Sequence, residues 1–208
     1  MRVLEIGAGT GNETAAFLRA HPCALTAVEP SSNMLSYGRA KPLPVRWVRG
    51  SAEALPFARR TFDFVYASYV LHHVRDLDAL MTECTGVLRR GCAAFVTVSQ
   101  GAIHRHVMNG YFPSLEAIDC ARFQPIPDIE AAMREAGLRD VRSEDSASPP
   151  RNVDADYIEK VADQFISTYA LLPRAEFADG LARLREDVLQ RGRNLRIVRE
   201  ATLVWGYR

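Results

Sequence analysis

Along the first half of the chain, short apolar runs alternate with stretches whose apolar residues recur at helical spacing. The runs predict strands near residues 2–6, 24–28, 45–48, 62–67 and 92–99, and the stretches between them predict helices near 12–20, 31–40 and 76–89. Alternation of this kind belongs to a parallel sheet covered by helices. Leu88-Arg89-Arg90-Gly91 reads as the basic, glycine-ended terminus of the third helix. Residues 100–125 mix His, Tyr, Phe, Gly and Pro without a period, which predicts a loop or short helices over one end of the sheet. A helix near 127–136 then leads into a strand near 138–144, and Ser146-Ala147-Ser148-Pro149-Pro150 reads as a connector. From Asp154, Tyr157, Ile158, Val161, Ala162, Phe165, Ile166 and Tyr169 keep helical spacing. After Pro173 a second helix carries Phe177, Leu181, Leu184 and Val188. The chain closes on an apolar strand near 201–207, so a helical pair is inserted between the last two strands.

Composition narrows the picture without deciding it. A chain of 208 residues buries one sizeable core and is expected to form one elaborated domain. Lys plus Arg at 26 against Asp plus Glu at 25 leaves a near-neutral balance of +1, which does not draw the protein to nucleic acid or to an anionic membrane. Cys23, Cys84, Cys92 and Cys120 are too dispersed for a zinc site or a disulfide framework and read as buried free thiols; no metal is expected. With no secretory pattern and no apolar run of membrane-spanning length, the expected location is the cytoplasm.

The chemistry begins in Val3-Leu4-Glu5-Ile6-Gly7-Ala8-Gly9-Thr10-Gly11-Asn12, a strand running into a glycine-rich loop. Glycine lets the backbone approach a ligand without an obstructing Cβ, and the following helix presents free N–H groups. A dinucleotide fingerprint needs a third glycine where Asn12 stands, so pyrophosphate is disfavoured. Glu29 ends the second strand, where a carboxylate can accept from both hydroxyls of a ribose. Gly50-Ser51-Ala52-Glu53-Ala54-Leu55-Pro56-Phe57, Phe62-Asp63-Phe64-Val65 and Leu71-His72-His73-Val74 follow in order on successive strand ends.

This set resembles the class I S-adenosylmethionine-dependent methyltransferases of the small-molecule type, over roughly residues 2–99. The resemblance implies an α/β, Rossmann-like, doubly wound and mostly parallel sheet with an antiparallel last strand. It implies S-adenosylmethionine as cofactor and S-adenosylhomocysteine as product. By the same resemblance Glu5, Gly7, Ala8, Gly9 and Gly11 border the methionine and ribose of the cofactor, and Glu29 with Pro30 holds the ribose. Met34 packs on adenine, Ser51, Ala52 and Glu53 follow the adenine edge, and Ser68 completes the site. Many members have Asp where Ser51 stands, so a cofactor bound less tightly by about 1 kcal/mol is expected.

Methyl transfer is an in-line displacement, and the protein must mainly hold the reactants collinear and exclude water. Ala67-Ser68-Tyr69-Val70 lacks the Asn/Asp-Pro-Pro-aromatic run of adenine N-methylating enzymes, which disfavours base amines as acceptors. His72 and His73 after the fourth strand, and His104 and Tyr111 after the fifth, are the candidate catalytic residues, because a group near neutral pKa suits proton removal from a phenol, enol or carboxylic acid. The expected reaction is methyl transfer to a small organic acceptor, at oxygen. Residues 1–99 form the cofactor half and 100–208 the acceptor side, with a lid near 154–190. Two alternatives stay open: a catalytically inactive cofactor-binding or partner protein, and a tRNA-modifying enzyme. The class usually has helices before its first strand, and this sequence begins two residues before one. Its late helices, with a homodimer contact, are expected to supply the missing cover.

Overall fold

In the computed structural model, which describes residues 1–208, the early strands explain the architecture by their burial. β1 (Arg2–Ile6), β2 (Ala24–Glu29) and β4 (Phe62–Ser68) carry Val3, Leu4, Ile6, Leu25, Ala27, Val28, Val65 and Ala67, none more than 3% exposed. Strands apolar on both faces require cover on both sides. One face packs Leu4, Ile6 and Val65 against Leu80 and Met81 of α3 (Leu77–Val87) and Ile129 and Met133 of α6 (Ile126–Glu135). The other packs Val3, Leu25, Ala27 and Tyr66 against Phe17 and Leu18 of α1 (Asn12–Ala20).

With β3 (Val45–Arg49), β5 (Leu88–Thr97), β6 (Arg139–Ala147) and β9 (Glu200–Tyr207), the seven strands lie in the order β3-β2-β1-β4-β5-β9-β6. The pairings from β3 through β5 are parallel, and β9 runs antiparallel to β5. The chain steps outward from β1 to β3 and then returns to β4 on the other side of β1. This reversal opens a crevice at the carboxyl ends of β1 and β4, where ligands of open α/β sheets bind.

The chain divides into two compact units. The first holds the sheet: Met1–Thr97, Pro125–Glu144 and Thr202–Arg208. The second comprises Val98–Gln124 and Asp145–Ala201, with α4 (Gln100–His104), α5 (Leu115–Arg122), α7 (Ala155–Ala162), α8 (Arg174–Arg185) and a two-stranded ribbon of β7 (Arg151–Asn152) and β8 (Arg196–Ile197). It has its own core, including Met108, Phe112, Ile158, Val161, Tyr169 and Leu184. The helical insertion falls between β6 and β9, as the pattern predicts. No helix is long and apolar enough to cross a membrane.

Three boundaries differ from the sequence expectation. The third helix stops at Val87, and Leu88-Arg89-Arg90-Gly91 is already strand: Leu88 is fully buried and pairs with Phe62, and a Cβ on Gly91 would collide with the Asp63 carbonyl. Gly91 serves close strand approach there, so sheet pairing outweighs a helix-ending signal. The apolar period from Asp154 to Tyr169 crosses a break: α7 ends at Ala162, Gln164 takes a left-handed φ of 52°, and a 3₁₀ turn spans Ser167–Leu171. β6 also runs on to Ala147, which shortens the expected connector.

Candidate cofactor and active site

At the carboxyl ends of β1, β2 and β4 lies a cleft of about 430 Å³, large enough for a nucleoside-sized ligand. The glycine loop forms one wall, tied to β2 by hydrogen bonds from the Gly7 and Ala8 amides to the Val28 carbonyl at 2.8 and 3.2 Å. Gly7, Gly9 and Gly11 all have left-handed φ, at 68°, 54° and 79°, but their surroundings differ. A Cβ on Gly7 would strike the Val70 side chain, and one on Gly11 would come within 2.6 Å of the Trp47 ring. A Cβ on Gly9 would meet no atom within 4 Å, and Gly9 lines the cleft. Gly7 and Gly11 thus permit protein packing, while Gly9 leaves room on the ligand side.

Glu29 is 7% exposed, and its two carboxylate oxygens accept from the amides of Gly9 and Ser31, each at 2.9 Å. A carboxylate has about four acceptor sites, so two remain for a ligand. Ser31 in turn caps α2 (Ser32–Arg39), its hydroxyl accepting from the Met34 amide at 3.3 Å; Met34 is 44% exposed and lines the cleft beside Pro30. An acidic acceptor of two further donors beside a glycine whose Cβ direction is empty fits a ribose diol carried on a flexible chain.

Ser51, Ala52 and Glu53 also line the cleft. One Glu53 oxygen accepts from the amides of Arg75 and Asp76 at 2.6 and 2.8 Å, so this carboxylate also holds the loop after His73 in place. Glu5, Ala8, Gly11 and Ser68 do not line it. Ala8 packs with the core under α1, Gly11 caps α1, and Ser68 ends β4.

Glu5 points away from the Ile6 face and pairs across the ladder with Tyr66. It is 2% exposed, and burial raises its carboxyl above the usual range, opposed by the nearby Thr14 and Tyr66 hydroxyls. A carboxyl raised in this way contributes to stability fully below its unfolded pKa, and that contribution is lost as pH rises through the folded value. Glu5→Gln should therefore raise thermal stability at pH 8 by about 1 kcal/mol, the scale of a strained buried polar group. The gap from wild type should close as pH falls toward 5. Melting curves across that range check this, and a variant less stable than wild type at pH 8 would contradict it.

Of the candidate catalytic residues, His72 and His73 share a 3₁₀ turn at Leu71–His73 with ring centroids 4.0 Å apart. His73 lines the cleft; His72 is half-buried and does not. His104 and Tyr111 belong to the second unit, and neither lines the cleft. The His104 ring meets the Glu116 carboxylate at 2.8 Å on an exposed surface. Tyr111 is buried and donates to Asp187 at 3.0 Å; burial and that carboxylate push its phenol above the ordinary range, which opposes a role as base. Sequence reasoning passed over Tyr69, Val70 and Val74, which line the cleft. Their signal was position alone, directly after the fourth strand.

The methyltransferase domain family matches residues 4–96, the segment that carries every cleft motif. The ubiquinone/menaquinone biosynthesis C-methyltransferase UbiE of Shewanella halifaxensis is 34% identical over 99 residues, 44% of this chain and 39% of that protein. The ubiquinone biosynthesis O-methyltransferase of Parvibaculum lavamentivorans is 29% identical over 150 residues, 67% of this chain and 59% of that protein. The chain thus spans less than two thirds of the length of these relatives. A crystal structure from Anabaena variabilis, described as a methyltransferase from an antibiotic biosynthesis pathway, superposes with a TM-score of 0.82 at 25% identity over 99% of this chain and 90% of that one. Residues 4–96 thus form a methyltransferase domain of the class I, S-adenosylmethionine-dependent type.

Proposed function

We propose that this protein transfers a methyl group from S-adenosylmethionine to oxygen on a small organic acceptor. The observation that carries the cofactor part is Glu29, held by the Gly9 and Ser31 amides with acceptor capacity left over at the switch point of the sheet. When bound, S-adenosylmethionine supplies an electrophilic methyl on a sulfonium. Glu29 would hold the ribose, the Gly9 backbone would border the methionine chain, and Met34 with Ser51, Ala52 and Glu53 would border the adenine. His73, lining the cleft, is the residue best supported as acceptor of a proton from a phenol, enol or carboxylic acid; His72 beside it would orient it. Acceptor selectivity would reside in the second unit, whose helices share no residue with the cofactor motifs.

Support for oxygen comes from the O-methyltransferase among the relatives, and Ala67-Ser68-Tyr69-Val70 disfavours the amines of nucleic-acid bases; the C-methyltransferase marks carbon as the competing outcome. A homodimer belongs to the same proposal. Leu203 and Tyr207 on one face of β9 are 37% and 49% exposed beside half-buried Trp205, an apolar strip suited to association.

Calorimetric titration with S-adenosylhomocysteine tests the first step, and saturable binding is expected. Transfer of labelled methyl into phenols, carboxylic acids, amines and activated-carbon acceptors tests the second. Label on oxygen is expected, whereas label confined to carbon or nitrogen would overturn the oxygen assignment.

A further inference from the structure

Between β3 and β4 the chain folds back on itself where it meets the cleft. A Cβ on Gly50 would come within 2.9 Å of the Pro56 ring, so glycine lets the two ends of this segment close on each other. Ser51 bridges to Ala54, its hydroxyl accepts from the Glu53 amide at 3.3 Å, and buried Leu55 joins the core that holds Leu80 and Met81 of α3. Two carboxylates then brace the segment. Glu83, on α3, accepts from the Leu55 amide at 2.7 Å. Glu53, in the segment, accepts from the Arg75 and Asp76 amides at 2.6 and 2.8 Å, both through a single oxygen.

The helix that follows already has a cap of its own. Asp76 accepts from the Ala79 amide at 2.9 Å, and the Arg75 and Asp76 amides held by Glu53 lie before Leu77, the first helical residue. What those amides fix is the far end of the Leu71–His73 turn. The turn itself is closed by hydrogen bonds from the His73 amide to the Val70 carbonyl and from the Val74 amide to the Leu71 carbonyl, at 2.8 and 3.2 Å. Glu53 and His73 both line the cleft. The second Glu53 oxygen takes no hydrogen bond from the protein and is available to a donor on a ligand. One half-buried carboxylate therefore ties two walls of the cleft together.

We propose that Glu53 is a positioning residue: through the Arg75 and Asp76 amides it makes the wall of residues 50–53 and the turn carrying His73 move as one body, so that bound cofactor orders that turn. This rests on S-adenosylmethionine being the ligand of the cleft. Coupling of this kind is reciprocal, and whatever order the ligand adds to the turn, the ordered turn returns as affinity for the ligand. The reach of the Glu53 side chain to the two amides is what the coupling requires, because a shorter acidic side chain keeps the charge and loses the tie.

The test is hydrogen exchange at single amides, read by NMR, in wild type, Glu53→Gln and Glu53→Asp, each free and saturated with S-adenosylhomocysteine whose affinity is measured by calorimetry. Gln keeps the reach without the charge, and Asp keeps the charge but falls one methylene short. In wild type the ligand should slow exchange at His73 and Val74 about fivefold, the low end of coupling between sites. Glu53→Asp should speed exchange at Arg75 and Asp76 about tenfold, the scale of one charged hydrogen bond, and cut the ligand effect at His73 and Val74 to less than about twofold. Glu53→Gln should keep a ligand effect of about threefold or more, since its carbonyl still accepts from both amides. A ligand effect at His73 and Val74 that survives in Glu53→Asp would overturn the proposal. Its equal loss in Gln and Asp would make charge the cause instead of reach, and would overturn it too. Wild type that binds no S-adenosylhomocysteine would overturn the cofactor reading itself, a result distinct from bound ligand that leaves the turn unchanged, which overturns the coupling alone.

Discussion

Gly9→Val should yield a folded protein that no longer binds S-adenosylhomocysteine in a calorimetric titration. The three loop glycines look equivalent in sequence, yet only Gly9 has its Cβ direction open to the cleft, with no protein atom within 4 Å. A valine there meets no protein atom at its Cβ, so packing is spared. It does impose a β-branched residue on a φ of 54°, a strain of about 1–2 kcal/mol that should appear as a lowered melting temperature with a native circular dichroism spectrum. The branched methyls would occupy ligand space, and a loss of at least about 2 kcal/mol in binding is expected from overpacking alone. Gly7→Ala makes the complementary control. Its methyl would strike Val70, so it should destabilise the fold before it touches the ligand. Retained binding in Gly9→Val would show that the loop is only a turn.

Glu29→Ala should weaken S-adenosylhomocysteine by about 2 kcal/mol, roughly 30-fold, through the loss of two charge-assisted hydrogen bonds to ribose. Because the same carboxylate holds the Gly9 and Ser31 amides, part of the loss would come from a loosened loop. A 2′-deoxy analogue of the ligand separates the two contributions. If Glu29 holds the ribose, the analogue should bind wild type more weakly but lose less than the parent ligand on mutation. An equal loss for both ligands would assign Glu29 to loop support, and an unchanged dissociation constant would remove it from the site.

Much of the cofactor half is legible in the sequence. Residues 2–6, 24–28 and 62–67 read as strands because strands buried on both faces are mostly apolar, and the residues at their carboxyl ends are where chemistry collects. Glu29, Pro30, Met34, Ser51, Ala52 and Glu53 come together around one cleft for that reason. The candidate catalytic residues were less legible. His104 and Tyr111 follow the fifth strand, and following a strand does not make a residue face the cleft; one meets Glu116 at the surface, and the other is buried against Asp187. The helix expected from Asp154 to Tyr169 failed for a related reason, since hydrophobic period records burial and cannot see the left-handed turn at Gln164 that divides it.

By itself, then, the sequence determined the strand–helix alternation, the order of the motifs and the carboxylate at the end of β2, because these depend on local pattern and on the direction of a parallel strand. The tertiary structure alone decided which of three glycines has its Cβ direction open, since that depends on Val70 and Trp47 arriving from distant parts of the chain to fill the space beside the other two. It also decided that Glu5 is buried on the far face of β1 against Tyr66 while Tyr69 is strained into the cleft. A strand's alternation names two faces without saying which is which. The pairing of β1 with β4 and the packing of α1 on one side settle that choice, and both are long-range contacts that no local window contains.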